Sequence, residues 1–305
     1  MKYPSYAHTL EQIALHDERI MVLTAENRAA LRDLPAVLGK RLVDVGIAEQ
    51  AMVGMAAGLA LRGRVPICHA LAAFLTMRAF EFIRTDVGIA GLPVKLIGAV
   101  PGFLSEANGP THQALEDVSL MRSIPGMQVF CPADEADLSI GLPQILNSSA
   151  PAYIRHNALP PVVEHNPSFE IGRAETVCDG VDATILVYGM LFGQAWQAVQ
   201  HLQAAGRTVR LVNLRTVKPI DEEAVIAAAL ETSLLVTLED HFLTGGLYSI
   251  VSETLLRYRL AVPVLPIALP DRWFKPALLP AVLAQESFTG PLIAEAIQTC
   301  LRGRN

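Results

Sequence analysis

A carboxylate, an imidazole and a set of aromatic rings are the residues of this chain whose types and spacing suit chemistry. In Val43-Asp-Val-Gly-Ile-Ala-Glu-Gln50 a strand end runs through Gly46 into a helix of small residues, so Glu49 falls near a helix N-terminus, where the dipole favours its anion. By itself such an acid stabilises its helix; set against a ligand, it can hold or share a proton. Asn108-Gly-Pro-Thr-His-Gln113 carries Gly-Pro punctuation that fixes a turn and can present His112 into a cleft at a strand end. Alone, His112 reads more readily as a satisfied polar residue of its loop than as a catalyst. Ala73-Phe-Leu-Thr-Met-Arg-Ala-Phe80 places Phe74 and Phe80, with Met77 between them, in an apolar helical run that serves core packing, ring stacking or both.

These residues need a frame, and the hydrophobic pattern supplies one. Short β-branched runs at Ile20–Thr24, Leu42–Val45, Val65–Cys68, Val94–Ala99, Gln128–Cys131 and Ala152–Arg155 alternate with helical segments at Glu11–His16, Gln50–Leu61, Thr76–Ala90 and Asp134–Asn147. That alternation predicts βαβ units and parallel sheets covered by helices on both faces. Asp134 is placed to cap the helix that follows it. Residues 157–172 break the rhythm with three prolines, and the division drawn from this is a first domain at 1–160, a linker at 161–178 and a second domain at 179–305. In the second domain strands are predicted at Ala183–Tyr188, Thr208–Asn213, Leu234–Leu238 and Val264–Ala268, with helices at Gln194–Ala205, Glu222–Ala229 and Gly246–Tyr258. Gly245 and Gly246 read as a tight strand-to-helix turn. The expected fold class is α/β, two domains, each with a mostly parallel sheet sandwiched by helices.

Composition narrows the function. With 305 residues, 51% hydrophobic and 18% charged, the chain can bury a large core, which excludes disordered and low-complexity classes. A net charge of −6 without a dense basic run argues against nucleic acid or anionic lipid as partner. Mean hydropathy is +0.36, yet the apolar stretches stop short of the roughly 18 residues a membrane span needs. The N-terminus shows no signal-peptide pattern, and a cytoplasmic location is expected. Cys68, Cys131, Cys178 and Cys300 lie 63, 47 and 122 residues apart, too scattered for a zinc knuckle or a CxxC pair. No metal site is expected in this chain, and no GxGxxG or P-loop opens a helix.

GIAEQ (46–50), AFLTMRAF (73–80), NGPTHQ (108–113) and VFCPAD (129–134), in that order, resemble the pyrimidine-binding domain of transketolase-like enzymes that use thiamine diphosphate. DGVDATILVYG (179–189), VRLVNLRTVKPID (209–221) and VTLEDHFLTGGLY (236–248) are similar to the C-terminal domain shared by transketolases, deoxyxylulose-phosphate synthases and 2-oxo-acid dehydrogenase beta subunits. The resemblance implies that Glu49 hydrogen-bonds a ring nitrogen of the aminopyrimidine, that Phe74, Met77 and Phe80 cradle that ring, and that His112 meets substrate oxygens at the reaction centre. Arg155 matches an arginine that grips a sugar phosphate. Asn108 stands where the family usually has an aspartate that contacts a donor hydroxyl. Three further phosphate-gripping positions of the family are changed here: its arginine falls on His8, its serine on Ala30 and its histidine on Val100.

The diphosphate-binding domain of full-length transketolases carries a GDG motif that holds the metal, and this sequence contains none. The implied assembly is a split enzyme: an N-terminal transketolase-like subunit with the GDG motif supplies Mg2+ (or Ca2+), and the two chains form a heterotetramer. The implied activity moves a two-carbon ketol unit from a ketose or ketose-phosphate donor to an aldose acceptor through a thiamine-bound carbanion. Two alternatives stand beside it. One is a deoxyxylulose-phosphate-synthase-like or dehydrogenase-beta-like subunit that decarboxylates a 2-oxo acid, and the other is a non-catalytic scaffold.

Overall fold

In the structure, a computed structural model that describes residues 3–303, the runs read as strands form two sheets. β1 (Ile20–Thr24), β2 (Leu42–Asp44), β3 (Val65–Leu71), β4 (Lys95–Ala99), β5 (Gln128–Phe130) and β6 (Ala152–His156) pair in parallel in the order β5-β6-β4-β3-β1-β2. The second half contributes β7 (Glu175–Cys178), β8 (Ala183–Val187), β9 (Val209–Asn213), β10 (Thr216–Lys218), β11 (Leu235–Phe242) and β12 (Val264–Leu269). Five of these form the second sheet, ordered β12-β11-β8-β9-β7 and antiparallel only between β7 and β9. β10 crosses back and pairs antiparallel with β5, completing a seven-stranded first sheet. Every residue of β4, β6 and β8 is buried, as expected of parallel strands covered on both faces.

Local chemistry sets the helix ends. The Ser5 hydroxyl accepts from the His8 amide and starts helix Tyr6–His16. The Asp134 carboxylate accepts from the amides of Ala136 and Asp137, the cap the sequence predicts. Helix Glu49–Leu61 buries Met52, Val53 and a row of alanines.

The structure departs from the sequence expectations in three places. Thr76–Ala90 is not a regular α-helix: wide π turns span Phe74–Arg78 and Ile83–Gly88, joined by a short α turn at Phe80–Phe82. The Thr76 hydroxyl donates to the Ala72 carbonyl at 2.8 Å, a back-bond that competes with the α-helical ladder. Residues 175–178 of the expected linker are strand β7. The short strand β10 and helix Leu279–Gln285 are too short to show a period, whereas helix Gly290–Arg302 buries Ile293, Ala294, Ile297 and Leu301 on one face, a pattern the sequence does carry.

The core does not stop at the linker. One apolar cluster joins Val129 and Tyr153 of the first sheet to Tyr188, Leu214 and Leu247 of the second half. Among the described residues no helix is long and apolar enough to cross a membrane.

Candidate active site

The chain passes from β1 to β2 on one side and then to β3 on the other, so the strand order reverses at β1, between β2 and β3. In open parallel sheets, ligands bind at the carboxyl ends of strands beside such a reversal. A cavity of about 350 Å3 lies there, lined by Glu26 and Arg28 after β1, Ile47 and Glu49 after β2, and Leu71 and Phe74 after β3. Gly46, at φ +73°, makes the turn that brings Glu49 to the cavity wall, and the Asp44 carboxylate accepts from its amide at 2.9 Å.

Glu49 is only 2% exposed, and its Oε2 accepts from Arg78 Nη1 at 3.0 Å. The same guanidinium sits over the Phe74 ring, 4.3 Å from its centroid. The far edge of Phe74 meets the His112 imidazole, with ring centroids 5.1 Å apart at 65°. The Thr111 hydroxyl lies 2.9 Å from His112 Nδ1 and fixes the orientation of that ring. A carboxylate, an aromatic face and an imidazole thus form a continuous row: Glu49, Arg78, Phe74, His112.

Asp44 supports the rim. It pairs with Arg28 and accepts from the Glu26 amide at 3.3 Å. Burial works against its anion, but the Gly46 and Glu26 amides and the Arg28 guanidinium outweigh burial and hold its carboxyl below the usual range. Three non-glycine residues near this end of the sheet have left-handed backbones: Glu26 (φ 56°), Val100 (48°) and Glu106 (46°). Such conformations cost energy and cluster where geometry serves function.

The structure brings together some of the residues picked from sequence and separates others. Glu49, Phe74 and His112 meet. Asn108 is exposed on the same loop as His112. Met77 is 38% exposed on the outside of the π turn, and Phe80 packs against the hydrophobic core, so neither lines the cavity. Arg155 is 1% exposed, and its guanidinium is consumed by Asp117 and Asp240, so it presents no free donor to a sugar phosphate. Arg78 and Asp44 went unnoticed. A cation in the apolar run AFLTMRAF, four residues after Phe74, and an acid before Gly46 were the available signals.

The residues fit the ring end of thiamine diphosphate: a buried carboxyl for a ring nitrogen, an aromatic face for stacking and an imidazole beside them. Among the described residues one group has metal-ligating geometry, Asp137, His165 and Glu175. Its charges are already matched internally. Both His165 nitrogens bond carboxylates, Asp134 at 2.8 Å and Glu175 at 2.7 Å, and Arg215 pairs with Asp137 and Glu175.

Comparison with known proteins supports the same assignment. Residues 5–158 match the pyrimidine-binding domain of transketolase and residues 172–291 its C-terminal domain. The 6-deoxy-6-sulfo-D-fructose transketolase subunit SqwH of Clostridium sp. (strain MSTE9) is 40% identical over 255 residues, 82% of this chain and 79% of that subunit. A 1-deoxy-D-xylulose-5-phosphate synthase of Synechococcus sp. (strain JA-2-3B'a(2-13)) is 36% identical over 99% of this chain, which spans 48% of the synthase. A solved split-gene transketolase, described as an inactive beta4 tetramer, superposes with a TM-score of 0.89 at 33% identity, covering 97% of both chains.

Proposed function

The chain belongs to the transketolase family, and from that premise we propose that it is the C-terminal subunit of a split transketolase-type transferase. It moves a two-carbon ketol unit from a ketose or ketose-phosphate donor to an aldose acceptor, using thiamine diphosphate. Glu49 and Phe74 on the wall of one cavity, with His112 against the Phe74 ring, carry the reading.

Thiamine diphosphate supplies the electron sink that lets a carbon–carbon bond beside a carbonyl break. The chain's own residues supply the rest. Glu49 holds or shares a proton at a ring nitrogen from a buried position. Phe74, against whose ring the Arg78 guanidinium now rests, would offer a stacking face to the cofactor's ring. His112, oriented by Thr111, holds or moves a proton at a substrate oxygen. Asn108, an amide, donates and accepts at a donor hydroxyl without adding charge.

A partner subunit supplies the metal and the diphosphate contacts. Ile47, Met77, Phe82 and Ile89 stand 38–73% exposed along the segments that frame the cavity, an apolar rim suited to a protein partner. The expected assembly is a heterotetramer. Four free thiols fit a reducing, cytoplasmic setting.

The test is calorimetry with thiamine diphosphate and Mg2+ on this chain alone, on the chain mixed with its N-terminal partner, and on mixtures containing Glu49→Ala or Phe74→Ala. Binding only in the mixture, weakened by either substitution, together with ketol transfer that Glu49→Ala lowers at least about a thousandfold, is the expected result. Binding and turnover unaffected by Glu49→Ala would sink the reading. The similarity to the synthase over nearly the whole chain favours a second reading, decarboxylation of a 2-oxo acid. Release of carbon dioxide from pyruvate with no ketose cleavage would select it.

A further inference from the structure

The second domain contributes no residue to the cavity, yet it surrounds the loop that carries His112. That loop runs through Glu106 and Gly109, both with left-handed backbones; turns of its own, such as His112 N to Gly109 O at 3.0 Å, shape its tip, while its two ends are fixed from outside. Phe103, at its start, is packed between the rings of Phe274 and Phe288, with centroids 5.5 and 5.3 Å away. At its end the Phe242 amide donates to Leu115 O at 3.3 Å, and the Ser119 amide donates to His241 Nε2 at 3.3 Å.

The centre of this grip is Arg155, on β6. Its Nε donates to Asp117 at 2.8 Å, its Nη1 to Asp240 at 2.7 Å, and its Nη2 to Asp240 at 3.2 Å and to the carbonyl of Ala114 at 3.4 Å. Ala114 is two residues after His112, and Asp117 opens the next helical turn, Asp117–Arg122. Asp240 comes from β11, across the domain boundary. The fit is close: a Cβ on Gly102 would fall 1.6 Å from Asp240 Oδ2, and the Gly102 amide donates to the same Ala114 carbonyl at 3.0 Å. Only glycine lets the second domain's carboxylate reach the loop.

We propose that Arg155 is a positioning residue for His112, fixing the loop that carries it to Asp240 of the second domain. Arg155 touches no substrate. It sets where the imidazole stands by tying the loop's exit to two rigid strands at once. The catalytic half of the idea rests on the function proposed above; the mechanical half does not.

Two measurements on Asp240→Asn and Arg155→Lys separate the halves. The first is amide hydrogen exchange on this chain, comparing residues 103–116 with residues 24–29, of which Ala25 to Ala29 line the cavity and none bonds Arg155. The expected result is exchange at least about tenfold faster in 103–116 and within about twofold at 24–29. The second is turnover of the assembled two-subunit enzyme, where kcat falls about tenfold to a hundredfold with KM and thiamine diphosphate affinity little changed. Exchange that stays unchanged in 103–116, or rises equally in both segments, overturns the proposal. Faster loop exchange with unchanged kcat also overturns it, because the clamp would then have no bearing on His112. Absence of ketol transfer in the unsubstituted assembly would count against the proposed function alone, and the exchange comparison would still decide whether the second domain clamps the loop. Arg155→Lys keeps the charge and the fold where Asp240→Asn proves too disruptive.

Discussion

Two arginine–carboxylate sites lie on either side of the Phe74–His112 contact, and they differ in how much water reaches them. Arg78 is 42% exposed at its side chain and shares one bond with Glu49, plus a ring face. Arg155 is 1% exposed, and both carboxylates that hold it are 0% exposed. The Arg78 head, half in water, can leave and be solvated, whereas Glu49, at 2% exposure, stays inside the protein and takes another donor in its place. A sealed pair cannot part, since each ion would then stand alone in a medium that solvates it poorly. Burial alone disfavours the Arg155 cation, yet Asp117 and Asp240 hold it charged at all ordinary pH values. The same chemical pair therefore has one water-exposed partner over the Phe74 ring in one place and is a fixed staple in the other.

The sharpest way to break this contrast is one substitution made at both places. Arg155→Met leaves Asp117 and Asp240 buried together without a cation, and a loss of about 3–5 kcal/mol in a urea melt is expected. A loss under about 1 kcal/mol would mean that the buried site is not the staple described.

A third charged cluster tests whether burial sets the rule in general. His165, between Asp134 and Glu175, loses charge to burial but is carried the other way by those two carboxylates, and its pKa rises from 6.5 to about 10. The folded chain then keeps a proton that the unfolded chain releases near 6.5, so the stabilisation is complete below pH 6.5 and drains away as pH rises to about 10. Lys95, lowered by burial from 10.5 to about 7, acts in the opposite direction above pH 7. The useful quantity is therefore the difference between native chain and His165→Gln across pH 6 to 10. That difference should shrink steadily with pH; a flat difference would contradict the assignment. Arg78→Met is expected to give a smaller loss than Arg155→Met in a thermal melt, because it leaves one buried carboxyl, Glu49, without its donor rather than two; an equal or larger loss would contradict the contrast.

The strands that carry the site were legible because parallel strands read as apolar runs, and all six predicted in the first half match observed strands within three residues at either end. Ordered motifs pointed to Glu49, Phe74 and His112 as candidates, and the fold puts Glu49 and Phe74 on one cavity with His112 against the Phe74 ring. Met77 and Phe80 lie off the wall of the cavity because the segment winds as π turns rather than as a regular α-helix, and nothing in a hydrophobic pattern announces that shift. Arg155 shows the deeper difficulty. Its residue type suits a phosphate, but its role depends on Asp117 and Asp240, which lie 38 residues before it and 85 residues after it. Such partners become visible only once the chain has folded.

β10 has a consequence for biosynthesis. It is made after the linker and after most of the second sheet, yet it covers the outer edge of the first sheet by pairing with β5. While a ribosome is still translating residues 160–215, the first domain has its hydrophobic layers but an open edge at β5, the kind of edge on which nascent chains pair with one another. The first domain thus finishes its sheet only with a strand emitted about 60 residues after its own last one, and the two domains mature together rather than in turn.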